Sequence, residues 1–391
     1  MTSKQSLTAA RWAVLIMFFI NGASFANFVA RIPEFQSRFD LTAAQLGLTL
    51  MGGSVGVLSA LTFTSSLVAR FGSRAVTIFG AVGLYLALPL IAVMPHPIAL
   101  WVALFLLGMF MTMMDVAMNA QGVEVERGLG KPVMSSFHGA WSIGAAVGAA
   151  MGAGTVSLHM PALIHFSIAT MIFLTLGLIG SRWLLHVEGE QGERQPPFQI
   201  PPRVLWPLGA IAFCSGIGEG SMGDWSAVYL TKVLNSSPAL AAMGFTTFTT
   251  AMTIGRLSGD WITERLNRVL VVRVGGLVAG VGLLAAMLFP SIASTFIGFT
   301  AMGIGLANVI PLAYSASGRV PGISPSQGIS GVATIGYGAF LAGPPLVGAL
   351  AQATSYRIAL GLVAVIVLAI FVFANAIAST ERASQVVVAE G

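Results

Sequence analysis

Long apolar runs alternate with short polar breaks along the whole chain. Runs of roughly 20 residues occupy positions 12–30, 43–68, 75–94, 98–122, 134–158, 162–184, 204–230, 239–262, 269–289, 292–316, 328–350 and 357–378, and charged residues or Gly/Pro clusters mark the breaks. Such a run crosses the hydrocarbon of a bilayer as a helix. A strand does not compete, because each backbone group left unpaired in lipid costs several kcal/mol and an open sheet leaves an edge. The pattern predicts an all-α polytopic membrane protein with twelve transmembrane helices. The first run follows Lys4 and Arg11 and contains the small residues Ser24 and Ala26, the layout of a secretory leader. Eleven further runs follow it, and it is read as a retained span.

Lysine and arginine fall mainly in every second break. With the N-terminus inside, Lys4, Arg11, Arg70, Arg74, Arg127, Lys131, Arg182, Arg194, Arg203, Arg256, Arg265, Arg268, Arg273, Arg319 and Arg382 are cytoplasmic, against Arg31, Arg38, Lys232 and Arg357 outside, a bias of 15 to 4. This predicts an even number of spans with both termini cytoplasmic, in a bacterial-type inner membrane. The longest hydrophilic stretch divides the spans six and six. It carries Glu188, Glu190, Glu193, Arg194, Pro196, Pro197, Pro201 and Pro202, so the expected organisation is an N-terminal bundle over 1–185, a cytoplasmic linker over 186–203, and a C-terminal bundle with a short tail over 204–391. The halves also match at an offset of 195: Arg70 with Arg265, Gly108 with Gly303, Ser135 with Ser330, Gly148 with Gly343.

Composition closes off other classes. Only 8% of the 391 residues are charged and 56% are hydrophobic, with a mean hydropathy of +0.86, which leaves too little charge to coat a water-facing surface. The 46 glycines suit close helix packing in lipid. The net charge of +5 sits in short loops and forms no basic stripe for nucleic acid. A single cysteine, Cys214, excludes an intrachain disulfide. No zinc-ligand spacing and no phosphate-binding G-x-x-x-x-G-K-[ST] loop occurs, so no cofactor and no enzyme chemistry are expected.

Several motifs carry a resemblance. The break after span 2 reads Ala69-Arg70-Phe71-Gly72-Ser73-Arg74, and that after span 8 reads Gly255-Arg256-Leu257-Ser258-Gly259-Asp260 followed by Glu264-Arg265-Leu266-Asn267-Arg268. Span 4 holds Asp115-Val116-Ala117-Met118-Asn119, span 5 opens with Ser136-Phe137-His138-Gly139-Ala140-Trp141, and span 7 contains Gly218-Glu219-Gly220, Asp224-Trp225-Ser226 and Tyr229-Leu230. Over nearly its whole length the chain resembles the major facilitator superfamily, and within it the fucose:proton-symporter-like branch and an uncharacterised bacterial inner-membrane group. The resemblance implies two pseudo-symmetric six-helix halves, a small-molecule substrate, protons as coupling ion and a monomer working by alternating access.

The loops depart from the superfamily signature. Ala69 stands at the acidic position and Ser65 at the leading glycine of the first, Asp260 and Asn267 at the two glycines of the second. The acid-mediated latch implied by the family then rests on Arg256, Asp260 and Glu264, with Arg70, Arg74 and Arg265 as loop cations. In fucose symporters a span-4 acid handles the proton, and Asp115 falls at that position. Their span-1 acid has no counterpart, since span 1 offers Asn21, Ser24 and Asn27. Met118 stands three residues before Gln121-Gly122, where many members place an arginine. The glycine ladder Gly139, Gly144, Gly148 and Gly152 lacks the proline of the antiporter signature, which tilts the reading toward uptake.

Ionisable groups inside spans are expensive and functional by default. Asp115, His138 and Glu219 are the proton-coupling candidates. A carboxylate in a low-dielectric cavity can bind a proton near physiological pH, as a proton-coupled carrier requires, although a permanently paired Asp pinning helix 4 would look the same in sequence. Asn21, Asn27, Asn119, Trp141, Asn308 and Tyr337 are the expected cavity groups. Spans 1, 4, 7 and 10 carry Asn21 and Asn27, Asp115 and Asn119, Glu219 and Asp224, and Asn308, and spans 3, 6, 9 and 12 hold almost nothing charged at depth. Arg31 and Asp224 are candidates for an outer ion pair across the halves, Arg256 and Asp260 for an inner one. The threonines Thr246, Thr249, Thr250 and Thr253 are expected to bond their own i−4 carbonyls. Pro311 and Gly343-Pro344-Pro345 should bend spans 10 and 11. Two alternatives stay open. One is a proton-coupled exporter of amphipathic compounds with Met111, Met114 and Phe137 in its cavity, the other a non-transporting sensor of the same fold.

Overall fold

The computed structural model describes residues 4–130, 133–186 and 201–377. Among these residues the chain forms fifteen α-helices and one 3₁₀ turn, with no strand. Residues 187–200 of the expected linker, with its Glu188, Glu190, Glu193, Arg194, Pro196 and Pro197, lie outside the described residues. So do Lys131, the tail from 378 with Arg382, and the side chains of Lys4, Ser135 and Asp260.

The helices are α1 (Lys4–Val29), α2 (Ile32–Arg38), α3 (Ala43–Phe71), α4 (Ser73–Val93), α5 (Pro97–Leu129), α6 (Met134–Ser157), α7 (Ala162–Ser181), α8 (Trp206–Lys232), α9 (Pro238–Leu257), α10 (Gly259–Arg265), α11 (Arg268–Leu288), α12 (Ile292–Leu306), α13 (Val309–Ser317), α14 (Pro325–Ala353) and α15 (Tyr356–Phe373). Each of the twelve apolar runs has become a long helix, with α12 and α13 sharing the tenth. Nine helical segments among the described residues are long and apolar enough to cross a membrane. The other three long helices are α6, α8 and α9. Glycines dilute the first, Glu219 and Asp224 interrupt the second, and threonines line the third.

The chain forms two compact units. Unit 1 is Met1–Leu41, Thr49–Pro197 and Pro238–Thr246; unit 2 is Thr42–Leu48, Phe198–Ser237 and Thr247–Gly391. Segment 42–48 groups with unit 2 and segment 238–246 with unit 1. In unit 1, α1 packs on α6, and α4 on both α5 and α7; in unit 2, α8 packs on α14, and α11 on both α12 and α15. These are the same three pairings of spans, first with fifth, third with fourth and third with sixth, so the repeat at offset 195 is also a repeat of packing.

Small residues set the spacing. A Cβ on Gly144 or Gly148 of α6 would run into the carbonyl oxygens of Phe19 and Ala23 on α1. With no hydrophobic force between helices in lipid, such close backbone approach is what holds the pair. Phe18 of α1 stacks on Phe137 of α6 at 5.7 Å between ring centroids. The α3–α4 connection is a single residue, Gly72, at φ +79°, a left-handed conformation that glycine adopts without strain.

Span 10 breaks earlier than Pro311 suggested. The interruption falls at Ala307 and Asn308, and Pro311 sits in the first turn of α13. A proline ring clashes with the carbonyl four residues back, here that of Ala307, and needs no N–H in a first turn. Pro344 and Pro345 lie inside the continuous helix α14.

Candidate functional site

In unit 1 the polar residues of spans 1, 4 and 5 are tied together. Asn21 of α1 donates from Nδ2 to the Met111 carbonyl of α5 at 3.2 Å and accepts at Oδ1 from Trp141 Nε1 of α6 at 3.0 Å. Trp141 is thereby fixed by its ring nitrogen. On α5, Asn119 Nδ2 donates to Asp115 Oδ1 at 3.2 Å and to the Asp115 carbonyl at 2.8 Å. The i, i+4 spacing makes that contact possible. Asp115 is half-buried and has no cation within ion-pair distance among the described residues. His138 is exposed on α6, with its ring edge-on to Phe18 at 5.2 Å.

A second cluster lies at the other end of α1. Arg31 donates from Nε to His165 Nδ1 at 3.2 Å, pairs with Glu34 at 2.6 Å and donates to the Met160 carbonyl at 2.8 Å. His165 Nε2 lies 2.6 Å from Asn27 Oδ1. Arginine only donates, so His165 Nδ1 must accept, and the ring is neutral with its proton on Nε2, directed at Asn27. Asn27, Arg31 and His165 are all buried. One expectation changes here. Arg31 pairs with Glu34, three residues along its own chain, where Asp224 was expected. The neutral His165 of α7 adds a polar group at depth in span 6. The sequence signal was available, since a cation inside an apolar run needs a partner and the nearest acid by itself left most of its donors unassigned.

In unit 2, Glu219 of α8 accepts from Ser215 Oγ at 3.2 Å and from Arg256 of α9 at 3.5 Å. Both charged side chains are partly open, at 17% and 29% exposure. Tyr314 of α13 lies within electrostatic reach of Glu219. The pair expected between Arg256 and Asp260 involves a side chain outside the described residues, and Tyr314 was not among the expected groups. The link from Arg256 to Glu219 crosses 37 residues and carries no periodic signal. Asn308, at the α12–α13 break, donates to the Gly255 carbonyl at 3.2 Å, which fixes the C-terminal end of α9. Tyr337 and Phe340 of α14 have ring centroids 6.5 Å apart, and Phe340 covers Gly220 of α8. Asp224 is half-buried and has no hydrogen-bond or ion-pair partner among the described residues. Thr253 bonds the Thr249 carbonyl at 2.7 Å, as threonines in such helices do.

The loop residues are held by local contacts. Arg70 stacks on Phe71 at 5.1 Å, Arg265 on Trp261 at 4.3 Å, and Glu264 is exposed. Arg74 reaches a ring nitrogen of His186 at 2.9 Å. Gln121, passed over in sequence, is buried and complete: Nε2 donates to Ser73 Oγ at 2.7 Å and to the Leu185 carbonyl at 2.8 Å, while Oε1 accepts from the Leu185 N–H at 2.8 Å. It binds the ends of α4, α5 and α7 together. No group of three or more potential metal ligands occurs among the described residues.

The profile of the Major Facilitator Superfamily matches residues 14–322. The chain is 36% identical over 362 residues to an uncharacterized MFS-type transporter of Yersinia pestis, covering 93% of this chain and 94% of that protein. It is 29% identical over 345 residues to the membrane protein MosC of Rhizobium meliloti, covering 87% and 83% respectively. Among solved structures, a bacterial homolog to the human lysosomal transporter Spinster, inward-facing and occupied, superposes with a TM-score of 0.73 at 17% identity, over 97% of this chain and 98% of that one. The nucleoside transporter NupG gives 0.73 at 13% identity, over 96% and 99%. At these identities the two structures are likenesses of fold.

Proposed function

The chain belongs to the major facilitator superfamily, and on that premise we propose that it is a proton-coupled symporter taking a small polar organic solute across the bacterial inner membrane by alternating access. Asp115 is the proton carrier in this reading. The supporting observation is its partner set: a carboxylate inside a span whose described partner is the neutral amide of Asn119 on its own helix. A carboxylate with no counter-charge in a low-dielectric setting is held in place whether protonated or not, so it can exchange its proton without dismantling the fold.

Glu219, Arg256 and Tyr314 are the proposed solute contacts in unit 2, flanked by the Tyr337 and Phe340 rings. Asn21 and Trp141 are those in unit 1, with Trp141 offering an aromatic face. His138 is a secondary proton candidate. The lysine and arginine bias supports cytoplasmic termini, and the working unit is the monomer. The exporter alternative draws less support, because Met114 and Phe137 are fully buried packing residues.

Proteoliposomes test the reading. Addition of the transported solute should draw protons inward. Outward proton movement would indicate antiport, and solute movement without protons would overturn the coupling. Asp115→Asn should abolish uptake driven by a pH gradient and spare counterflow exchange; undiminished driven uptake would remove Asp115 from the role.

A further inference from the structure

All seven tryptophans of the chain fall among the described residues. Four are exposed, Trp12, Trp183, Trp206 and Trp261, at 48% to 63%. Each has an arginine within four positions: Arg11, Arg182, Arg203 and Arg265. In unit 1 the pairs lie near the start of α1 and at the end of α7, in unit 2 at the start of α8 and on α10 just beyond α9. By the alternation of spans, these ends all lie on the side of the membrane that holds the N-terminus. The remaining three tryptophans, Trp101, Trp141 and Trp225, are half-buried or buried.

The arginines of these pairs differ from those on the far side, while near-side arginines outside the pairs, such as Arg127 with Glu124 and Arg273 with Asn375, also have partners. On the far side, Arg31 is spent on Glu34, His165 and the Met160 carbonyl, Arg38 on the carbonyls of Ala92 and Met94, and Arg357 on those of Met287 and Leu288. On the near side, Arg11, Arg182 and Arg203 have no ion-pair or hydrogen-bond partner atom among the described residues. Arg265 lies over the Trp261 ring and donates to that residue's carbonyl at 3.2 Å, with the exposed acid Glu264 beside it. Trp206 Nε1 is already used by the Pro201 carbonyl at 3.0 Å, so its ring is fixed and its face is free.

An exposed tryptophan places its ring at the headgroup level of a bilayer. A guanidinium beside it presents forked donors that match a phosphodiester in shape and charge. We propose that the four arginine–tryptophan pairs bind the phosphodiester headgroups of anionic phospholipid in the leaflet on the N-terminal side. An acidic soluble protein could meet the arginines, but it has no use for rings set at headgroup depth. The proposal does not rest on proton coupling or on the identity of the solute.

The full chain reconstituted in bilayers tests it through quenching of tryptophan fluorescence by brominated lipid. Brominated phosphatidylglycerol, mixed with unbrominated phosphatidylcholine, should compete for the protein surface about twofold or more better than brominated phosphatidylcholine in the reverse mixture. Arg182→Gln/Arg203→Gln/Arg265→Gln should bring that ratio close to one, and Lys232→Gln, on the far side, should leave it in place. Equal quenching of the wild type by both lipids overturns the proposal without any variant. A triple variant that keeps the full preference also overturns it, as does loss of the preference on adding millimolar inorganic phosphate, which would reassign the sites to the free ion.

Discussion

Asp115 and Glu219 are both carboxylates set inside apolar helices, and their partners make them different instruments. Asp115 is met by an amide from its own helix, Glu219 by the guanidinium of Arg256 and the hydroxyl of Ser215. Removing one member of a paired set strands the other charge. Arg256→Ala should therefore lower transport about tenfold or more, and the double neutral variant Glu219→Gln/Arg256→Gln should express and melt closer to wild type than Arg256→Ala does. Equal losses in thermal melts and uptake for both variants would mean the pair is incidental. His165 gives a second residue-scale prediction. His165→Ala leaves the buried Arg31 Nε without an acceptor, at a cost of about 1–3 kcal/mol, seen as a lower melting temperature in detergent. His165→Gln can accept from Arg31 and donate to Asn27, so it should recover most of the loss.

At the scale of elements, the α1–α6 pair of unit 1 is held at close backbone contact by its glycines. The Cβ of a valine at position 144 would meet the Phe19 carbonyl oxygen, which belongs to backbone and cannot rotate away. Gly144→Val should cost more than the 1–3 kcal/mol typical of overpacking and show as loss of folded protein by size-exclusion chromatography. At Gly154, where a Cβ meets nothing within 4 Å, the change to Ala should be tolerated. The α12–α13 break is held by Asn308 on the Gly255 carbonyl. Asn308→Leu should leave expression intact while slowing uptake, since it frees the C-terminal end of α9 that carries Arg256. An unchanged transport rate would show that the break is only a packing feature.

At the scale of the molecule, the prediction concerns sign. A symporter run with acid outside accumulates solute, and reversing the pH gradient across the same vesicles drives solute out. Opposite signs would mark an exporter, and flux indifferent to the gradient a uniporter. The repeated pairings of first with fifth, third with fourth and third with sixth spans place Asp115 of α5 and Asn308 at the α12–α13 break in corresponding fourth spans of the two units. Their chemistry differs, with an acid in one and an amide in the other. An Asn308→Asp variant should not rescue Asp115→Asn if proton carriage belongs to unit 1 alone.

The number of spans, their helical state, the repeat and the family were legible in the chain because each rests on local or periodic properties. Lipid forbids unpaired backbone, so an apolar run of sufficient length has one outcome. Asp115 with Asn119 was legible for the same reason, since a separation of four fixes a shared helix face. The links from Arg31 to His165 and from Arg256 to Glu219 were not. His165 lies 134 positions from Arg31, and Glu219 lies 37 from Arg256, distances at which no periodicity carries information. Tertiary packing decides which helix faces meet, and with them which buried donor finds which acceptor. The chain determined that it is a two-fold bundle of membrane helices with a few costly polar groups inside. Only the packed structure decided how those groups are paired, because a buried charge takes the partner that lies within reach in space.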